Sequence, residues 1–255
     1  MKISVITATR NCISTLPGTI LSIESQTHNS IEAIWIDCLS TDGTLEYLKS
    51  KLKSQSSILI SESDNGIYDA LNKGLRLATG DIIGFLHSDD IYADRFCLSR
   101  IAKAFEDTQV DAVYGDLVYV NKYNVDSKVR YWRSKEFKNS LLKQGWMPPH
   151  PTLYVRRNIY ENLGGFNTKF KISSDYDLVL RLFSNPSFKS KYLPHILVKM
   201  RTGGASNKSI TNILKKSIED MQVLKKHKVG GGFTLFLKNF SKIPQFFQDG
   251  NPPAK

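Results

Sequence analysis

Five residues without a polar side chain, Ile82 to Leu86 (IIGFL), run directly into His87, Ser88, Asp89 and Asp90. So continuous a run leaves no face for water and predicts a strand covered on both sides, the setting of a central strand in a parallel sheet. Two acids at its carboxyl end stand where open α/β sheets bind their ligands, and adjacent carboxylates repel unless a cation or donors intervene. The plainer reading is a turn in which Asp89 or Asp90 caps a helix beginning near Arg95. Just upstream, Ile67, Ala70, Leu71, Leu75 and Ala78 recur at helical spacing, with Asp64 or Asn65 placed to cap the first turn and Gly80 following the last.

The same alternation fills the chain before it. Lys2 to Ala8 predicts a first strand with Thr7, Thr9, Arg10 and Asn11 at its carboxyl end, followed by a helix from about Pro17 to Gln26. Ile31 to Ile36 predicts a second strand, closed by Asp37 and the loop CLSTDGT, and Leu45, Leu48 and Leu52 mark the next helix. Ile58 to Ser61 is a third strand. Strand, helix, strand in this order predicts a right-handed, doubly wound parallel sheet. Asp37, like Asp89 and Asp90, then falls at the carboxyl end of a strand.

A chain of 255 residues supports one α/β domain with a sizeable core and an appendage. Cys12, Cys38 and Cys97 are too few and too scattered for a disulfide framework or a zinc site, and they fit a reducing cytosol. No apolar run approaches the roughly 20 residues that span a bilayer, and the first strand is too short for a signal peptide core, so neither export nor membrane integration is expected. Charge is divided: Met1 to Val120 holds 10 Lys and Arg against 16 Asp and Glu, whereas the whole chain is +11. An acidic first half accepts a nucleoside diphosphate only through a metal, and a basic second half suits an anionic partner or surface.

Later segments add further candidates. Phe96 to Phe105 predicts a helix and Ala112 to Val120 a strand containing Asp116. Asn121 to Arg157 carries nine Lys and Arg against two acids, with Tyr131, Trp132 and Trp146 among them, a composition that fits either a sugar platform or a solvated excursion with core aromatics. His150, flanked by prolines, reads either as a substrate contact or as structural. Ser174 to Phe183 is an amphipathic helix with Asp175 and Asp177 at its start, where an acid also serves as a cap. RTGGAS, Arg201 to Ser206, after a strand over Tyr192 to Met200, is a lid or an ordinary connection. Ile210, Ile213, Leu214, Ile218, Met221 and Leu224 trace one helix face among lysines, and Phe233, Leu235, Phe236, Leu237, Phe240, Phe246 and Phe247 follow. That tail reads as an interfacial anchor, a helix packed on the core, or a dimer face.

Taken in order, ITATRN, IDCLSTDGT, SDNGIYDALNKGLRLATGDIIGFLHSDD, GGFN and SSDYDLVLRL resemble the successive motifs of inverting family 2 glycosyltransferases with the GT-A fold. More narrowly, they resemble bacterial enzymes of O-antigen, capsule or colanic-acid-type exopolysaccharide synthesis. The resemblance implies a GT-A, Rossmann-like, doubly wound and mainly parallel sheet with helices on both faces over residues 1–206. Residues 1–120 would form the nucleotide-sugar half and 121–206 the acceptor half, with 207–255 a basic helical appendage.

Carried onto this chain, the resemblance implies donor binding by Thr7, Thr9, Asn11, Asp37, Asn65, Gly66, Lys73 and Asp89. Asp37 would meet the base, and Asp90 would bind Mn2+ or Mg2+ on the donor diphosphate. Ser88 stands where many relatives have an acid, which reduces the carboxylate ligands and leaves more of the metal to water and phosphate. Asp175 is placed as the catalytic base ahead of Asp177, by its register with Arg181, although the usual Glu-Asp pair is here Ser174-Asp175. Trp146, His150, Arg181, Gly203 and Gly204 are the acceptor or lid candidates.

The implied activity is metal-dependent, inverting transfer from a nucleoside-diphosphate sugar, UDP-type favoured, to a glycan or polyprenyl-diphosphate-linked acceptor. The implied place is the cytoplasm, peripheral on the inner membrane face and touching anionic lipid, with a homodimer open and no nucleic acid partner. Two rivals are a sugar-phosphate nucleotidyltransferase, whose glycine-rich loop is missing because no glycine precedes Gly18, and a non-catalytic polybasic binder.

Overall fold

Strand β1 (Ile3–Thr9) lies in the middle of the sheet, with β2 (Ile31–Asp37) on one side and β4 (Ile82–Phe85) on the other, all parallel. Outside β2 runs β3 (Ser57–Ser61), so the chain steps outward twice and then crosses back over β1 to lay down β4. That reversal makes the gap between β1 and β4 a switch point, where loops diverge and leave a crevice at the strands' carboxyl ends. The computed structural model describes residues 1–52, 57–203, 210–241 and 245.

The sheet continues past β4 through β8 (Tyr154–Arg156), β6 (Ala112–Val120), β9 (Ser190–Arg201) and β5 (Ile91–Tyr92), and β7 (Lys128–Trp132) pairs with β6 alone. β6 and β9 are parallel to each other, whereas β8 is antiparallel to both its neighbours and β5 and β7 are antiparallel to theirs. The result is the mainly parallel mixed sheet expected. The short strands β5, β7 and β8 are held by partners distant in sequence.

Apolar residues on both faces of the strands recruit helices to each side. Val5, Trp35 and Ile82 pack with α1 (Leu16–Glu24), α2 (Thr44–Lys51) and α4 (Cys97–Ala104). Ile6, Ile34, Ile36, Ile83 and Phe85 pack with α3 (Ile67–Leu77), α5 (Arg157–Leu163) and α6 (Ser174–Phe183). A Cβ on Gly84 would run into the Tyr154 ring of β8, which accounts for the one glycine in IIGFL. The N-cap of α3 is Gly66 (φ 116°), neither Asp64 nor Asn65. Asp64 instead accepts the Gly66 N–H at 2.9 Å, and Asp69 accepts that of Asn65 at 3.0 Å.

The described part of the C-terminal stretch forms α7 (Ile210–His227) and α8 (Gly232–Phe240). Val223, Leu224 and Val229 enter the core beside α6, so α7 is docked on the body of the fold. α8 is inverted relative to an ordinary amphipathic helix: Thr234 and Lys238 are each 4% exposed, while Phe233, Phe236 and Phe240 are 74%, 51% and 52% exposed. Lys238 turns inward because Asp220 of α7 awaits it, 2.8 Å away. No described helix is long and apolar enough to cross a membrane. Gly204, Phe246 and Phe247 lie outside the described residues.

Candidate active site

Asp37 ends β2 fully buried, and its side chain bonds to three pieces of the rim. Its Oδ1 accepts from Thr9 Oγ1 at 3.1 Å and Ser40 Oγ at 2.5 Å, and its Oδ2 from Ser40 N at 3.0 Å and Ser61 Oγ at 2.8 Å. The carboxylate thereby ties together the carboxyl ends of β1, β2 and β3. Asn11, at a left-handed φ of 47°, extends the bracket: its N–H donates to Ser40 Oγ at 2.9 Å and its Oδ1 accepts Thr41 N–H at 2.9 Å. Both Asp37 oxygens are engaged, so a nucleoside base would have to open one of these bonds to reach it. Thr7 is enclosed, with no partner for its hydroxyl, while Asn11 is open to solvent at the rim.

Across the switch point, the loop after β4 carries His87 to Asp90. Thr15 and Thr19 of the α1 region hold it by donating to the Ser88 carbonyl at 3.1 and 3.0 Å, and Thr19 also reaches the Asp90 carbonyl at 2.8 Å. Asp90 is fully buried, and neither side-chain oxygen makes a hydrogen bond of ordinary geometry. Burial first, and the Asp89 charge second, push its carboxyl well above the usual carboxylate range, against a smaller opposing pull from Arg201. Arg201, at the end of β9, donates to the Asp89 carbonyl. It also lies 3.0 Å from where a Cβ on Gly18 would be. A buried, orphaned carboxylate beside a second acid fits a divalent cation, although among the described residues no three His, Cys, Asp or Glu form a ready ligand shell.

Asp175 stands in the first turn of α6, half-buried, and its Oδ1 accepts the Tyr176 N–H at 2.8 Å and the Tyr68 hydroxyl at 3.4 Å. Electrostatics join it to the other carboxylates. His87 is lowered chiefly by its enclosure, with Asp89 and Asp175 both pulling it back up. His150 is pushed down to about 4 by burial, against Asp175 and with help from His87. The Tyr119 hydroxyl is raised mainly by burial, and Asp90 and Asp175 both add to it. Asp175 thus shares His87 with Asp89 and Tyr119 with Asp90. The ring of His150 stacks on Phe85 at 5.9 Å and faces His87 at 5.6 Å, and its Nε2 is buried without a partner.

The other candidates have structural occupations. Asp177, the rival base, is fully buried and bound by Lys226 at 2.7 Å, His227 at 2.9 Å and Arg181 at 3.1 Å. Arg181 spends its remaining donors on the carbonyls of Leu163, Gly164 and Gly165, so it braces the turn before α6. Trp146 packs among Tyr114, Phe137 and Phe183. Lys73 is paired with Glu62 at 2.7 Å and the Ser63 carbonyl at 2.6 Å. The Asn65 carbonyl receives Lys171 at 3.2 Å, and Gly203 (φ 98°) is exposed after β9. A groove of about 410 Å³ lined by Asp116, Arg133, Tyr192 and Pro194 includes none of Asp37, Asp89, Asp90 or Asp175.

Tyr68, His87, Tyr119 and Arg201 belong to this site and were not singled out by pattern. Arg201 carried a signal, being the last cation of a long strand; Tyr68 and Tyr119 sit in apolar patterns that account for them equally well as core.

Similar proteins share this fold. A PGL/p-HBAD biosynthesis glycosyltransferase of Mycobacterium tuberculosis is 31% identical over 209 residues, covering 80% of this chain and 78% of the relative. Residues 1–349 of TarS from S. aureus in complex with UDP-GlcNAc superpose with a TM-score of 0.71 at 18% identity, over 90% of this chain and 66% of that one. The mannosyltransferase PcManGT from Pyrobaculum calidifontis, in complex with GDP-Man and Mn2+, gives 0.67 at 20% identity, over 96% of this chain and 73% of that one. Both structural neighbours share the GT-A architecture. Residues 4–174 match glycosyl transferase family 2, and with the relatives' names in agreement the chain belongs to that family of glycosyltransferases.

Proposed function

We propose that the protein transfers a sugar from a nucleoside-diphosphate donor, UDP-type favoured, to an acceptor hydroxyl with inversion at the anomeric carbon. The observation that carries this reading is a half-buried carboxylate, Asp175, and an orphaned buried one, Asp90, both of which act on the Tyr119 hydroxyl. Inversion by one displacement needs a proton acceptor on one side of the sugar and charge stabilisation on the other.

In that reaction the acceptor oxygen forms a bond to the anomeric carbon as the bond to the diphosphate breaks, and the diphosphate departs with the electron pair. The acceptor proton passes to Asp175. Both described bonds to that carboxylate fall on Oδ1, which leaves Oδ2 for the proton. Mn2+ or Mg2+ held by Asp90 with Asp89 would offset the charge growing on the diphosphate. The Asp37 bracket, with Thr9 bound inside it and Asn11 exposed at its rim, shapes the nucleoside side of the cleft, and His150 stays neutral and offers the acceptor an uncharged nitrogen. TarS with UDP-GlcNAc and PcManGT with GDP-Man and Mn2+ support a nucleotide-sugar donor.

The acceptor is a glycan or a polyprenyl-diphosphate-linked oligosaccharide of a bacterial surface polysaccharide, met at the inner face of the cytoplasmic membrane. Support comes from the outward aromatic face of α8 and from the placing of the α7 acids. Glu219 and Asp220 both bond inward, while Lys215, Lys225 and Lys228 stay exposed, so the hairpin turns lysines to solvent and its acids to the core.

A thermal-shift screen of nucleotide sugars with and without Mn2+ identifies the donor. With it, Asp175→Asn should lower kcat by about 10²–10⁴-fold and leave the Kd for UDP within about twofold of wild type. Undiminished turnover would reject the base.

A further inference from the structure

We infer that Glu219 of α7 is a positioning residue for the reaction, holding the segment that presents Asp175. The inference rests on the reading of Asp175 as the base. Glu219 lies outside residues 4–174, the stretch that matches the family, and belongs to the hairpin read from sequence as a tail.

Three consecutive backbone N–H groups converge on its carboxylate. Lys171 N donates to Oε1 at 2.9 Å, and Ile172 N and Ser173 N donate to Oε2 at 2.8 and 2.9 Å. Such a row of N–H groups is an anion nest, and it lies at the positive end of α6, so the carboxylate is held by charge-assisted bonds and by the helix dipole together. Ser173, the N-cap of α6, makes no capping bond with its own side chain, so the helix start is capped from α7. On the other side of the same segment, the Tyr68 hydroxyl donates to the Ile172 carbonyl at 2.6 Å. The backbone two to four residues ahead of Asp175 is thus gripped on its N–H side by α7 and on its carbonyl side by α3.

The grip extends through the first turn of α6. Lys238 lies over the ring of Tyr176, and Lys226 and His227 bind Asp177. A carboxylate that takes a proton from a bound hydroxyl must sit within hydrogen-bond reach of it, and misplacement by about 1 Å can cost on the order of 10²-fold in rate. Glu219 contributes that placement without touching substrate.

The test is a double-mutant cycle on the full chain. Glu219→Gln keeps the size of the side chain and removes its charge, and should lower kcat by about 10-fold or more while the donor KM and UDP binding stoichiometry stay at wild-type values. Tyr68→Phe, which releases the opposite grip, should lower kcat in the same way. In the Asp175→Asn background neither change should reduce the residual rate further, because there is no base left to place. An additive loss in that background, or a loss fully accounted for by a fall in the fraction of protein that still binds UDP, would reduce Glu219 to a stabilising contact and overturn the inference. If Asp175→Asn is impaired and Glu219→Gln is not, the positioning role fails alone; if Asp175→Asn keeps full activity, the base itself is misassigned.

Discussion

The ammonium of Lys238 sits 3.2 Å from the centre of the Tyr176 ring and 2.8 Å from Asp220, in a residue that is 4% exposed. One cation thus joins α8, α7 and α6. Removing one partner of a buried pair leaves the other charge uncompensated, typically at a cost of about 3–5 kcal/mol. Lys216, 2.9 Å from Asp220, offsets part of that here. Lys238→Met should therefore lower Tm by roughly 5–10 °C, and adding Asp220→Asn should recover part of the loss, measured by calorimetry on both variants.

Asp90 is buried with no hydrogen-bond partner for either side-chain oxygen, and burial followed by the Asp89 charge pushes its carboxyl well above the usual carboxylate range. Asp90→Asn cannot ionise and carries no charge against Asp89, which removes the electrostatic part of the burial cost while its amide stays unpaired. The variant should melt a few degrees higher than wild type in EDTA, lose catalysis, and lose the rise in Tm that Mn2+ gives the wild type. A variant that melts lower in EDTA would show that Asp90 is compensated within the fold.

Acid should destabilise the protein in two separate windows. Burial holds His150 down at about 4 in the fold, against about 6.5 unfolded, so the unfolded chain takes up the proton first and stability falls as pH drops from 6.5 to 4. For Asp177 burial raises the pKa, but His227, Lys226 and Arg181 outweigh it and bring the carboxyl to about 2. Its contribution is complete above the unfolded value of about 3.9 and is lost as pH falls toward 2. Urea midpoints between pH 7 and pH 3 should decline in both windows; His150→Gln should flatten only the upper one and Asp177→Asn only the lower.

The aromatic face of α8 should carry membrane binding. Phe233→Ser, Phe236→Ser and Phe240→Ser together should abolish flotation with vesicles containing anionic lipid and leave turnover of a soluble acceptor analogue unchanged. Equal flotation of wild type and the triple variant would remove this face from the membrane reading.

Much of the N-terminal half was legible because each strand and helix there satisfies its own periodicity. Ala112–Val120 and Ser174–Phe183 form with the boundaries their patterns gave. β8 forms where the residues after His150 predict a strand, whereas β5 has two residues and exists only through a distant partner, which local pattern does not encode. The Gly66 cap was missed because two better-known capping residues precede it, of which Asp64 accepts the Gly66 N–H and Asn65 gives its own N–H to Asp69. In α8 the apolar stripe was visible, but which side faces the core was decided by Asp220, a residue on another helix. The acids at strand ends stood out by position, whereas Glu219 looks in sequence like any solvated acid of a lysine-rich helix.

β4 sits between β1, made before it, and β8, whose first residue comes only at Tyr154. During synthesis its outer edge therefore waits roughly seventy residues for a neighbour. An apolar strand with one side unpaired invites pairing with another nascent copy. Fragments ending between Phe85 and Tyr154 should accordingly be found in inclusion bodies, which sets a lower bound on where this chain can be shortened from its C-terminus.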